Sequence, residues 1–259
     1  MSQYELHHGD CLDILPTLEA GSVDAVITDP PYGITACKWD AVIPFEPMWV
    51  NISRVATSRR VVTCLFSQQP FTSMVVSSRL GWYRSEWIWE KNQATGHLNA
   101  KVHQLKAHEN IIVFSEEAGG VYRPQKTNGH VVKKTIRRRM SSHYGSQRSS
   151  SYCSSERYPR SVLRFDTVAN TQFVHPTQKP VALMEYLIKT YTSQGDTVLD
   201  FTMGSGTTGV AAMRTGRKFI GIELDPEYFA IAQNRIANAA GDFQLTQKEK
   251  ARGQMSLFG

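Results

Sequence analysis

TVLDFTMGSGTTG, residues 197–209, is the stretch that decides the fold. Its apolar start, Thr197–Asp200, reads as a strand, the glycines at 204 and 206 turn the chain, and Thr207 opens a helical pattern that runs to Arg214. Glycine lets the backbone approach a ligand closely, and a helix N-terminus offers unpaired N–H groups to it. Gly209 completes a Gly-x-Gly-x-x-Gly spacing, so a dinucleotide site stays open beside other adenosine ligands. The next strand, KFIGIELD, ends at Glu223, placed to accept hydrogen bonds from both ribose hydroxyls of any adenosine ligand.

Working outward, strand-like runs occur at Tyr4–His7, Val23–Thr28, Arg60–Phe66, Glu86–Trp89, Asn110–Phe114 and Lys218–Ile222. Several are continuously apolar, the pattern of strands covered on both faces and hence of a largely parallel sheet. Helical patterns lie between them at Leu12–Leu18, Phe45–Thr57, Pro70–Arg79, Pro180–Thr192 and Pro226–Asn238. Alternation of this kind predicts a doubly wound, mostly parallel, Rossmann-like α/β sheet.

Composition narrows the class. With 41% hydrophobic residues the 259-residue chain can bury a full core. No run of about eighteen apolar residues occurs and the N-terminus has no leader pattern, so a cytoplasmic protein without membrane spans is expected. The four cysteines form no Cys-x-x-Cys and the eight histidines have no metal-site spacing, so neither disulfides nor a metal are expected. Charge is uneven. Between Gly119 and Phe165 eleven Lys or Arg residues face Glu156 alone, an excess of ten in a chain whose net charge is +6. Unmixed positive charge on a mildly acidic body suits phosphate, because each cation seated there releases a condensed counterion.

A second motif, TDPPYGITACKWD at 28–40, follows the apolar run Val23–Ile27. Two prolines remove two N–H donors and set two φ angles, making a stiff rim at a strand's carboxyl end, where open α/β sheets place their chemistry. On that rim Asp29 and Tyr32 are held over the site.

DPPY at 29–32 and DFTMGSGTTGVAA at 200–212, in that order around a basic insertion, resemble the β-class DNA amino-methyltransferases, and VHPTQKPVALMEYLI at 174–188 resembles that family's lead-in to the glycine motif. The resemblance covers the chain to about residue 240. It implies transfer of a methyl group from S-adenosylmethionine to the N6 amino group of adenine in double-stranded DNA. Cytosine N4 is the alternative target, although that branch more often has Ser at the position of Asp29. A non-catalytic nucleic-acid-binding protein on the same fold is the less favoured reading, and a nicotinamide dehydrogenase lacks any hydride-transfer site after Glu223.

By the same resemblance, Asp29, Pro30, Pro31 and Tyr32 are catalytic: Asp29 and the Pro30 carbonyl accept the amino hydrogens, and Tyr32 stacks on a flipped base. Asp200, Phe201, Gly204, Gly206 and Thr207 surround the methionine part of the cofactor, Glu223 takes the ribose, and Asp10 of the Asp10-Cys11 pair accepts from the adenine, or serves as a helix N-cap, or both. Lys179, with Thr177 and Pro180, closes the cofactor pocket. No cysteine acts as nucleophile.

Residues 1–118 and 161–245 are assigned to the catalytic domain, 119–160 to an inserted, loop-rich target-recognition region and 246–259 to a C-terminal tail. Arg123, Lys133, Lys134, Arg137, Arg138, Arg139 and Arg148 are expected on DNA, mostly on phosphate. His97, Asn99 and Lys101 are candidates for the target pocket or the DNA groove. The ending QMSLFG resembles the short tails that dock on the bacterial sliding clamp, through Gln254, Leu257 and Phe258. A monomer or homodimer acting on the nucleoid is expected.

Overall fold

A computed structural model of the chain describes residues 3–34, 40–137, 150–168 and 178–255. Its elements, in order, are β1 Tyr4–His8, α1 Cys11–Ile14, β2 Ala25–Thr28, α2 Phe45–Val55, β3 Val62–Ser67, α3 Phe71–Ser78, β4 Tyr83–Thr95 and β5 Lys106–Phe114. There follow β6 Lys133–Arg137, β7 Ser150–Ser154, β8 Val162–Arg164, α4 Val181–Tyr191, β9 Thr197–Asp200, α5 Thr207–Arg214, β10 Lys218–Glu223 and α6 Pro226–Met255.

Eight strands form one sheet in the order β1-β10-β9-β2-β3-β5-β4-β8. Only β5 runs against its neighbours. The doubly wound α/β expectation holds, and side-chain alternation explains how the sheet is covered. Cys64 and Phe66 of β3 point into a core with α4, α5 and α6, while Leu65 points into a second core with α1, α2 and α3. Every residue of β2 is buried, since this strand lies mid-sheet between β9 and β3. Truncating its Ile27 to Ala would cost about 2–5 kcal/mol of stability.

The order of strands positions the site. After β2 the chain leaves for β3 on one side, and after β9 it leaves for β10 on the other, so β2 and β9 flank the point where the winding reverses. Their parallel register, Ala25 beside Val198 and Val26 beside Leu199, brings the carboxyl ends of both strands to one edge. Open α/β sheets bind ligands at such a switch point. The two motifs read from sequence are thereby neighbours, although about 170 residues separate them along the chain.

Several boundaries differ from expectation. The first helix ends at Ile14 and continues as a 3₁₀ turn, Leu15–Thr17, because Pro16 removes an N–H. β4 extends past Trp89 to Thr95, where pairing with β5 rather than apolar content sustains it. α6 runs to Met255, so part of the expected tail is helical; the added turns are rich in Gln, Lys, Glu and Ala, which form helix well.

The chain forms two compact units, residues 1–123 with 161–259, and residues 124–160. The smaller unit is not loop alone. It contains the antiparallel pair β6–β7, with Lys133 opposite Ser154 and Arg137 opposite Ser150, a ribbon that backbone pairing builds from polar sequence lacking any apolar period.

Candidate active site

The loops after β2 and β9 open onto one cavity of about 710 Å³. Asp10, Cys11, Asp29, Pro30, Pro31, Tyr32, Lys179, Asp200, Phe201, Gly204, Thr207 and Glu223 all line it. Gly206 does not. It caps α5 at φ +78°, and a Cβ there would sit 2.9 Å from the Ala232 side chain of α6, so this glycine serves the turn and the close packing of two helices.

Asp40, which sequence reading passed over, holds the proline rim. One of its oxygens accepts from the N–H groups of Tyr32 and Gly33 at 2.7 and 2.9 Å, and the other accepts from that of Ile34 at 2.9 Å. Pro30 and Pro31 have no N–H to offer, so a carboxylate taking the next three fixes the exit of the loop as firmly as the prolines fix its entry.

Behind the rim lies a chain of buried charges. The Tyr32 hydroxyl donates to Asp29 Oδ1 at 2.5 Å, and the Lys179 ammonium donates to Oδ2. Lys179, only 7% exposed, lies 3.2 Å from Glu109 Oε2, and Glu109 Oε1 receives Lys91. Two ammonium and two carboxylate groups thus alternate and cancel. Burial holds the Asp29 carboxyl above its ordinary range, against the opposing pull of Lys179. For Glu109, burial pushes the same way but Lys179 and Lys91 together bring its carboxyl below the usual value. Burial works against the charge of Lys179, and Asp29 with Glu109 outweigh it, so the ammonium persists.

Asp200 is built differently. It is 3% exposed, and it accepts from Thr28 Oγ1 at 2.7 Å, from Thr208 Oγ1 at 2.5 Å and from the Thr202 N–H at 3.2 Å. Burial, only partly offset by these donors, raises it to about 6. Its carboxylate ties β2, β9 and α5 together.

Two more carboxylates line the cavity. Asp10 caps α1, accepting from the Leu12 N–H at 2.8 Å, so the capping reading is correct and leaves the side chain on the cavity wall. Glu223 accepts from the Gly204 and Asp225 N–H groups at 2.7 and 2.8 Å, and burial raises it. They belong together because β1 and β10 pair with His8 beside Glu223. Burial pushes the Cys11 thiol up to about 12, far from a nucleophile's range.

Residues 23–234 match the DNA methylase family of N6- and N4-methyltransferases. The DNA adenine methyltransferase YhdJ of Escherichia coli strain K12 is 31% identical over 247 residues, taking in 88% of this chain and 81% of that protein. The chain belongs to the DNA methylase family. Type II methyltransferase M1.MboII of Moraxella bovis is 27% identical over 248 residues, 86% of this chain and 93% of its own. Among solved structures, the M1.HpyAVI–SAM complex aligns with a TM-score of 0.62 at 25% identity, over 90% of this chain and 99% of that one. The cytosine-N4-specific PvuII DNA methyltransferase shares the fold, with a TM-score of 0.63 at 18% identity over 94% and 93%.

The methyltransferase is therefore an enzyme of DNA that uses S-adenosylmethionine. The cavity has the chemistry for that cofactor: a glycine turn for close approach, and paired carboxylates at Asp10 and Glu223 to accept from an adenine amino group and ribose hydroxyls.

Away from the cavity, the methyltransferase engages several of its insertion cations internally. Arg123 lies in the larger unit, donating to Ser193 Oγ at 2.6 Å. Arg157 donates to the carbonyls of Ser154, Glu156 and Val131, Lys126 pairs with Glu156 at 2.8 Å, and Arg164 pairs with Glu90 at 2.6 Å. These four have protein partners, which trims the expectation that most of the eleven cations touch phosphate only. Lys133 and Lys134 are exposed on β6, and Arg137 ends that strand. Arg138, Arg139, Arg148, Thr177, Leu257 and Phe258 lie outside the described residues, and Gln254 is in α6. His97, Asn99 and Lys101 sit at the tip between β4 and β5; Gln93, Ala94 and Thr95 of β4 line the cavity in their place.

Sequence reading missed Glu109, Lys91 and Asp40. An acid amid the cationic run KVHQLKAHEN was the signal for Glu109, since it is the sole carboxylate between Glu90 and Asn110.

Proposed function

We propose that the enzyme methylates the N6 amino group of adenine in double-stranded DNA, with Asp29 and the Pro30 carbonyl as the groups that orient the target nitrogen. One observation carries this reading: the Asp29 carboxylate and the Gly204 turn share a single cavity at the switch point of the sheet. An acid at position 29, where the cytosine-N4 branch more often has serine, favours adenine, as does similarity to an adenine methyltransferase of Escherichia coli.

An exocyclic amino nitrogen is a poor nucleophile because its lone pair is delocalised into the ring. A carboxylate has about four acceptor sites, and Tyr32 and Lys179 occupy two at Asp29, so the carboxylate can accept an amino hydrogen as well. With the Pro30 carbonyl taking the other hydrogen, the nitrogen is drawn toward tetrahedral geometry and its lone pair is aimed, which is a gain from positioning. Bound S-adenosylmethionine supplies an electrophilic sulfonium methyl and a thioether that leaves with the C–S electron pair.

Positive charge builds on the attacked nitrogen. The preplaced Asp29 carboxylate stabilises it without the reorganisation that water needs, and it is the adjacent base for the proton the alkylated nitrogen sheds. Phe71 stacks on Tyr32 at 5.2 Å between ring centroids, leaving one ring face for the flipped base. Glu223 and Asp10 hold the nucleoside part of the cofactor, and Phe201, Gly204, Thr207 and Lys179 adjoin its methionine part.

Nucleosides from DNA methylated in a host without its own methylation, analysed by mass spectrometry, test the target. N6-methyladenine is expected, and N4-methylcytosine alone overturns the assignment. The insertion, with Lys133, Lys134 and Arg137, grips the nucleoid DNA through phosphates. For the ending, deletion of residues 254–259 is expected to abolish sliding-clamp binding, and unchanged binding removes that partner.

A further inference from the structure

We propose that the tip of the β4–β5 hairpin, residues 96–105, is a wedge that enters the duplex where the target base leaves it, with Leu98 and Val102 filling the vacated space. This deepens the DNA-methylation reading and rests on it.

The tip is a built projection. Its last ladder pair is Thr95 with Lys106, and beyond it Gly96, at φ +91°, starts the 3₁₀ turn His97–Asn99. The ring of His97 bonds the Ala94 carbonyl at 3.0 Å, and the N–H groups of Val102 and His103 donate to the Asn99 carbonyl at 2.9 and 3.1 Å. This local bonding leaves the aliphatic side chains outside. Leu98 is 101% exposed and Val102 80%, whereas the leucines of the core are at most 7% exposed.

Two further features select the occupant. From Asn92 to His108 the hairpin has Lys101 and Lys106 with three histidines and no acid, which suits a polyanion rather than an apolar protein groove. Its stem, through Gln93, Ala94 and Thr95, lines the cavity that contains Asp29. An apolar tip on a cationic stem beside a base pocket matches what separates stacked bases, because aliphatic side chains replace the stacking contacts a flipped base gives up.

The test uses the full-length chain and its L98S/V102S variant, both substitutions being at exposed positions. Transfer of labelled methyl from S-adenosylmethionine is measured to plasmid DNA from a methylation-free host, intact and heat-denatured. The expected result is a loss of about tenfold on the duplex with little change on denatured strands, whose bases are already unstacked. Equal loss on both forms, or none on either, overturns the wedge. A variant that shifts the chain from dimer to monomer in sedimentation while keeping the duplex-to-strand ratio makes the tip a self-contact and also overturns it. If the wild-type chain transfers to neither DNA while binding the cofactor, the DNA-methylation reading fails, and the wedge with it.

Discussion

Asp29 and Asp200 stand at the ends of adjacent strands, line the same cavity and are both raised by burial, yet they are supported in opposite ways. Asp29 is backed by an alternating chain of ammonium and carboxylate groups through Lys179, Glu109 and Lys91. Asp200 is backed by two threonine hydroxyls and one backbone N–H. The Lys179 ammonium opposes the burial penalty on ionised Asp29 through its charge, whereas the neutral donors at Asp200 offset that penalty only in part. One support suits a group that must be charged during a reaction. The other suits a group that must join strands.

The largest effect that can break this contrast is at Asp29 itself. Asp29→Ala is expected to lower kcat about a thousandfold while the dissociation constant for S-adenosylmethionine changes little; steady-state kinetics and calorimetry read the two, and a variant retaining most of its turnover removes Asp29 from the chemistry. Asp29→Asn, with the shape kept and the charge lost, is expected to fold like wild type and to be nearly as inactive.

Lys179→Met comes next. In the proposed mechanism Asp29 acts as its carboxylate, so kcat is expected to fall as pH drops through its titration, which lies above an ordinary aspartate's because of burial. Without the ammonium that opposes burial, the acid limb is expected to move to higher pH, and part of the lost rate returns as pH rises. A limb that stays in place shows that Lys179 does not govern the charge of Asp29.

Asp200→Asn sharpens the comparison from the other side. Folded Asp200 titrates at about 6, above the usual 3.8, so the folded state holds a proton more tightly than the unfolded one. Stability contributed by this group is therefore present at low pH and lost as pH rises through 6. Relative to wild type, the variant is expected to gain up to about 3 kcal/mol between pH 4 and pH 7 in urea unfolding without cofactor, with less than about tenfold loss of kcat. A pH-independent difference would show that burial does not penalise the charge.

The smallest effect concerns the basic unit. Replacing Lys133 and Lys134 by Ala is expected to reduce the slope of log affinity against log salt by about two, whereas Arg157→Gln, whose guanidinium is spent on carbonyls, leaves the slope unchanged. Equal slopes in both variants would erase the distinction between cations facing solvent and those bonded within the protein.

Much of the fold was legible because burial leaves a pattern in the chain. Arg60–Phe66 and Val23–Thr28 read as two-faced strands because a strand covered on both sides takes continuous apolar residues, and β3 and β2 are fully buried. The polar ribbon β6–β7 left no such pattern, because its pairing is between backbones. Within the site, the motifs announced Asp29, Gly204 and Glu223 through local turn chemistry. Lys91 and Glu109 stayed hidden because the charge chain they belong to closes only through Lys179 and Asp29, far off in the chain. Asp40 stayed hidden because its partners are the backbone N–H groups of Tyr32, Gly33 and Ile34, which no residue pattern announces.

Residue types and their spacing alone thus determined the layered sheet, the stiff acidic rim and the glycine turn, because prolines, glycines and apolar runs act on their own neighbours. Tertiary structure decided which charges meet. Strand order at the switch point sets Asp29 against the glycine turn, and the packing of β4, β5 and the lead-in to α4 threads Lys91, Glu109 and Lys179 behind it. Electrostatic coupling depends on distance in space, and distance along a chain does not report it.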